Sequence, residues 1–183
     1  MESYDYASSG AYFGTVCTAH REPLFGQVAG GWMVENPNAK VIRGCWLGLP
    51  DHYPHVRLDA FVVMPDHVHG IVVLGDTHRA GSDRGGDARA GLKPAPMGGG
   101  VTTRPGVRHG LPEVVRAFKT FSARRINALR GTPGAAVWQR RSFERIIRNE
   151  HELNLTRRYI ETNPQRWQQN HEPTSPSRKT NPP

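Results

Sequence analysis

The run FVVMPDHVHGIVVL, residues 61–74, limits the fold more than any other stretch of this 183-residue chain. It joins two apolar segments, VRLDAFVVMP (56–65) and HVHGIVVL (67–74), with Pro65-Asp66 between them. Val-rich segments of this length predict strands, and so short a Pro-Asp break makes them antiparallel neighbours. Alternation then fixes the faces. Residues two apart on a strand share a side, so His67 and His69 point one way while Val68 points the other, into a core.

The remaining elements follow from periodicity. AYFGTVCTAH (11–20) reads as a strand, and GQVAGGWMVEN (26–36) as a short hairpin about Gly30-Gly31. Val41, Ile42, Cys45, Trp46 and Leu49 recur at helical spacing, which predicts a helix from Pro37 that ends at Pro50. Leu111, Val114, Val115, Phe118, Ser122, Ile126 and Leu129 form one face of a helix over 111–130, stopped by Gly131-Thr132-Pro133-Gly134. VWQRRSFERIIR (137–148) is strand-like. NEHELNLTRRYIETNP (149–164) predicts a helix capped by Asn149, with Glu152 closing back on the cap and Pro164 ending it. Strands, hairpin and helices in this order predict an α+β fold, a single antiparallel sheet with helices packed on it.

With 37% hydrophobic residues the chain can build one core, and residues 1–167 are expected to form one domain. Residues 75–110 contain ten of the twenty glycines and almost nothing apolar, which predicts a mobile surface insertion. The polar, proline-rich stretch 168–183 is expected to be a disordered tail. No apolar run is long enough to span a membrane, and the polar N-terminus lacks a signal-peptide centre, so a cytoplasmic location is expected. Cys17 and Cys45 have neither disulfide nor metal spacing.

Charge is divided unevenly. Residues 1–75 carry four Lys/Arg and seven Asp/Glu, net −3; residues 76–183 carry twenty and nine, net +11, which together give the chain's +8. Twenty of the 24 basic residues are Arg, whose planar fork of donors matches phosphate. A basic half of this kind suits a polyanion such as nucleic acid, and equally a solubilising surface. Arg116, Lys119, Arg124, Arg140 and Arg141 are the candidate DNA contacts.

Two imidazoles on one strand face can converge on a single metal ion, although the same pair also suits a solvated strand face. A dinuclear metallohydrolase would carry further His and Asp after the pair, and a histidine-triad hydrolase a third His at position 71, where this chain has Ile71. On the 149–164 helix, Tyr159 and Asn163 are four apart and share a face, beside a stripe of Leu153, Thr156 and Ile160. Near the imidazoles they would supply a nucleophile able to form a phosphoester and a third metal ligand. Taken singly, the tyrosine also suits a core edge and the asparagine a helix end.

FVVMPDHVHGIVVL, VVRAFKTFSARRIN (114–127), VWQRRSFERIIRNEHEL (137–153) and RRYIETNP (157–164), with YFGTVCT and PLFGQV nearer the N-terminus, occur in an order that resembles the REP-associated tyrosine transposases. These are single-tyrosine HUH enzymes. The resemblance covers about residues 12–167 outside the insertion. It implies a ferredoxin-like HUH nuclease fold and a metal-dependent single-stranded DNA endonuclease and strand transferase. His67 and His69 match the HUH pair, Tyr159 the nucleophile, and Asn163 the place of a third polar ligand. It further implies Mg2+ or Mn2+, a 5′-phosphotyrosine intermediate, single-stranded or hairpin DNA as partner, and a monomer or homodimer. The chain departs from the pattern at Asp66, where Asn is usual, at Arg145, where relatives often carry His, and at Gly14, where a β-branched residue is usual and glycine should weaken the strand. The Arg145 departure also suits a relative that holds DNA hairpins without cutting them, and an unrelated basic RNA-binding or structural protein is the third class.

Overall fold

The computed structural model describes residues 9–75 and 109–171. Along the chain these form β1 (Gly10–Cys17), β2 (Gly26–Ala29), β3 (Trp32–Glu35), α1 (Pro37–Leu47), α2 (Leu49–His52), β4 (Val56–Val63), β5 (His67–Leu74), α3 (Leu111–Arg130), β6 (Phe143–Ile147), α4 (Glu150–Glu161) and α5 (Asn163–His171). Four strands make one sheet in the order β4-β5-β1-β6, every adjacent pair antiparallel, while β2 and β3 form a separate hairpin. The α+β architecture and the strand pair across Pro65-Asp66 are as the sequence predicts.

The sheet buries both faces. On one, Tyr12, Val16, Val68 and Val72 meet Ile42 and Trp46 of α1 and Phe118 and Ile126 of α3. On the other, Phe13, Ile71 and Ile147 meet Ile160 of α4. Ser122 belongs to the apolar stripe of α3 because its hydroxyl accepts the buried indole N–H of Trp138 at 2.9 Å. A salt bridge fastens α4 to the edge strand: Arg157 donates to both carboxylate oxygens of Asp59, at 2.8 and 2.7 Å.

Gly70 shapes the first core. A Cβ there would stand 2.4 Å from Cη2 of Trp46, whose ring stacks on Phe61 with centroids 4.5 Å apart. Only a residue without a side chain lets the indole lie on the strand. Gly14 is its partner across the β1–β5 ladder, yet a Cβ at Gly14 would come no nearer than 4.0 Å to any atom, the Phe143 carbonyl oxygen.

Several boundaries differ from expectation, each for a local reason. Pro50 and Pro164 do not end helices; each lies in the opening turn of the next, where a missing N–H removes no bond. Residues 168–171, expected in the tail, therefore continue α5. The segment before β6 is not strand: Trp138 turns into the core against Phe25 and Phe118 and makes one isolated bridge to Thr18. β1 stops at Cys17, and Ala19–Arg21 form a 3-10 turn. Leu129 is exposed, and Asn127 takes the buried place on α3, its amide donating to the Ala135 carbonyl as the chain folds back. Most of the expected insertion and the tail beyond His171 lie outside the described residues. No helix among the described residues is long and apolar enough to cross a membrane.

Candidate active site

The two histidines project from β5 onto the α4 side of the sheet, opposite Cys17 and Thr15 of β1. They are not on a wet face: His67 is 7% and His69 5% exposed, because α4 and α5 cover them. A second ring of groups fixes each imidazole. Asp66 accepts from Nδ1 of His67 at 2.5 Å, and the Thr15 hydroxyl pairs with Nδ1 of His69 at 2.8 Å. The carboxylate can only accept, so Nδ1 of His67 carries a proton. Both Nε2 atoms then face each other, 3.0 Å apart.

That separation tests the fit of a metal. Two ligand bonds of about 2.1 Å meeting at a right angle span about 3.0 Å, the geometry of adjacent corners of an octahedron. Nδ1 held by a carboxylate or hydroxyl and Nε2 aimed inward is also the arrangement that orients metal-binding histidines. The donor set therefore fits a divalent ion. Among the described residues no third His, Cys, Asp or Glu completes a cluster with the pair. The buried Asn163 lines the same cleft and brings an amide side chain to it.

Electrostatics agree with a ligand role. Burial, then the charges of His67 and Arg21, push the His69 imidazole down to about 3, so it is neutral at neutral pH. Burial would raise the Asp66 carboxyl, but the hydrogen bond from His67 and the nearby Arg21 guanidinium outweigh it and hold it below the usual carboxylate range. The turn carrying Asp66 is pinned, its carbonyl accepting from the Thr18 hydroxyl at 2.9 Å and the Thr18 N–H at 2.8 Å.

Tyr159 approaches from α4. Asn149 caps that helix through the Glu152 N–H at 2.9 Å, as predicted, while the Glu152 carboxylate accepts from the Arg148 N–H at 2.9 Å, one residue before the cap and not from the cap itself. Thr156 and Ile160 are buried, which turns Tyr159 toward the histidines. Its hydroxyl lies 3.4 Å from Nε2 of His69, and its ring stands edge-on to Phe13 with centroids 5.9 Å apart. The side chain is 36% exposed, open to a partner from solvent.

Together these groups line an open cleft of about 380 Å3, with Thr15, Arg21, Arg166, Trp167 and Asn170 completing the walls. The last five were not identified from sequence. Arg166, Trp167 and Asn170 recur with Asn163 on one face of α5, a periodicity that a helix begun at Asn163 would have exposed. Arg21 carries no such signal. It follows His20 in left-handed backbone (φ 55° and 59°), costly for residues with a Cβ, and that bend holds its guanidinium at the rim, 3.3 Å from Asp66.

The basic residues selected by charge are not in the cleft. α3 packs on the opposite face of the sheet, where Arg116 and Arg124 are exposed. Lys119 donates to the Arg140 carbonyl at 2.9 Å, tying α3 to the segment that carries the exposed Arg140 and Arg141. Arg145 stands beside Tyr159, its guanidinium 3.4 Å from the Thr156 hydroxyl.

No protein-family model matches the chain. An uncharacterised protein of Haemophilus influenzae is 32% identical over 172 residues, covering 92% of this chain and 88% of its own. The two belong to one family. A solved structure of a REP-associated tyrosine transposase bound to a REP hairpin matches 91% of this chain and 74% of its own, with a TM-score of 0.56 and 20% identity. This chain thus has the transposase fold expected from its sequence motifs.

Proposed function

We propose that this protein is a metal-dependent single-stranded DNA endonuclease and strand transferase of the REP-associated tyrosine transposase type, with Tyr159 as nucleophile. The observation that carries the proposal is the convergence of two Nε2 atoms 3.0 Å apart with a tyrosine hydroxyl 3.4 Å from one of them. His67, His69 and Asn163 would hold the ion, Mg2+ or Mn2+. Bound there, it would polarise a phosphate oxygen and offset the charge that builds during attack.

The chain's own groups supply the rest. Arg21 and Arg166, at the rim of the cleft, can hold non-bridging phosphate oxygens through forked hydrogen bonds. α4 presents the tyrosine to a phosphate so held, replacing a chance encounter with a fixed approach. The Tyr159 oxygen forms a bond to phosphorus as the bond to the 3′ oxygen breaks. The 5′ end stays on the tyrosine and a 3′-hydroxyl leaves, and attack by another 3′-hydroxyl reverses the step onto a new strand. A hairpin partner is supported by the fold shared with a transposase bound to a REP hairpin.

Tyr159→Phe keeps the ring against Phe13 and removes the attacking oxygen. Incubated with Mn2+ and a hairpin oligonucleotide bearing single-stranded flanks, wild type should give a covalent adduct on a denaturing gel. The variant should bind equally and give none. An adduct from the Phe variant sinks the assignment of the nucleophile. Tight binding by wild type without any adduct makes the protein a hairpin-binding module.

A further inference from the structure

Tyr159 is a wall between two hollows. On its far side from the histidines lies a groove of about 370 Å3 lined by Phe13, Phe143, Arg145, Leu155, Thr156 and Tyr159. The cleavage chemistry has no use for it. Its two most prominent members are apolar and open to solvent, Phe143 at 58% and Leu155 at 52% exposed. Phe143 is nonetheless firmly placed. It pairs with Thr15 in the β1–β6 ladder, and its ring meets Phe13 edge-on with centroids 6.4 Å apart. The same ladder sets Phe143 and Arg145 on the histidine face of the sheet, and Arg145 remains exposed at the groove.

An aromatic face and an aliphatic face beside a guanidinium suit an unpaired nucleobase attached to its phosphate. The base stacks, and the cation meets the backbone. Position selects this occupant over a peptide. The groove and the metal-fit cleft share one wall, so a strand with its phosphate at Tyr159 brings the neighbouring base to Phe143.

We propose that this groove is a nucleobase subsite, in which the unpaired base adjoining the phosphate at Tyr159 stacks on Phe143 against Leu155, with Arg145 on the adjoining backbone. The subsite rests on the DNA-cleaving function proposed above, but its test requires only binding.

The test uses the Tyr159→Phe protein, a hairpin oligonucleotide with single-stranded flanks, and an abasic residue moved through each flank position. At one position, loss of the base should weaken binding about tenfold, the range of one base–aromatic stack. Adding Phe143→Ala should cause a similar loss on the intact strand and no further loss with that abasic strand. Phe143→Trp should restore the affinity. If Phe143→Ala does not fold, by circular dichroism, Leu155→Ala on the exposed side of α4 takes its place in the cycle. Unchanged affinity for the alanine variant overturns the proposal, as does a loss that multiplies with the abasic loss at every position. An adduct from wild type with no such coupling removes the subsite alone. Coupling without an adduct removes the nuclease function and leaves a base-binding groove.

Discussion

Gly70→Ala should destabilise the protein out of proportion to one added methyl group. The new Cβ would stand 2.4 Å from Cη2 and 2.6 Å from Cζ2 of Trp46, and 3.1 Å from Cδ2 of Phe61. Carbon atoms rest at about 3.5–4.0 Å, so the indole must retreat by roughly 1 Å. It has little room to do so, since it stacks on Phe61 at 12° and meets Phe118 edge-on at 5.7 Å between centroids. Overpacking of this kind costs about 1–3 kcal/mol, which for a domain of this size lowers Tm by about 2–12 °C. The assay is thermal unfolding followed by circular dichroism, with Gly14→Ala as control. Its Cβ would meet nothing within 4.0 Å except the Phe143 carbonyl, so its Tm should stay close to wild type. Trp46→Phe removes the two clashing atoms, so adding Gly70→Ala to it should cost less than adding Gly70→Ala to wild type. Equal losses on both backgrounds, or an unchanged Tm for Gly70→Ala, would refute the reasoning.

Three further predictions concern the site and its support. Asp66→Ala removes the acceptor that orients His67 and should reduce Mn2+ affinity, measured by calorimetry, about 10- to 100-fold; Asp66→Asn keeps an acceptor oxygen and should lose far less, and equal losses for both would exclude an orienting role. Binding of a single-stranded oligonucleotide should fall with salt at a log–log slope of about −0.7 per phosphate contact; Arg21→Gln should reduce that slope, and an identical slope would place Arg21 outside the phosphate path. The hydrogen bond from Arg157 holds the Asp59 carboxyl below its usual range against the opposing effect of burial. A depressed carboxyl stabilises the fold above its unfolded value of about 3.9 and loses that contribution as pH falls through the folded value. Tm should therefore drop on acidification below about pH 4 less steeply in Asp59→Asn than in wild type, and parallel curves would count against the pair.

Legibility varied with the kind of signal. The strand pair about Pro65-Asp66, the shared side of His67 and His69 and the Asn149 cap depend on local alternation and capping, which a sequence displays directly. The junction at Pro164 was lost because proline serves equally after one helix and within the first turn of the next. With that junction went Arg166, Trp167 and Asn170. Charge alone pointed to α3 and not to the cleft, because composition reports how many guanidinium groups exist and not which side of the sheet they occupy. Arg21 depends on two left-handed residues that no residue type announces. Burial of the histidines depends on α4 and α5 arriving from far along the chain.

The two cores differ in thickness. The one beneath α1 and α3 is broad, while that beneath α4 is built from Phe13, Ile71, Ile147 and Ile160 with a few half-buried neighbours. The imidazoles ride on β5, laced by backbone bonds to β4 and β1 on either side. The tyrosine rides on a helix kept in place by a thin layer of side chains and the Arg157–Asp59 clasp. Local opening is cheapest where buried apolar contact is sparse. In a reaction of the proposed kind, the metal-binding end would act as a fixed anvil, and freedom to carry a severed 5′ end toward a new strand would belong to the helix that holds it.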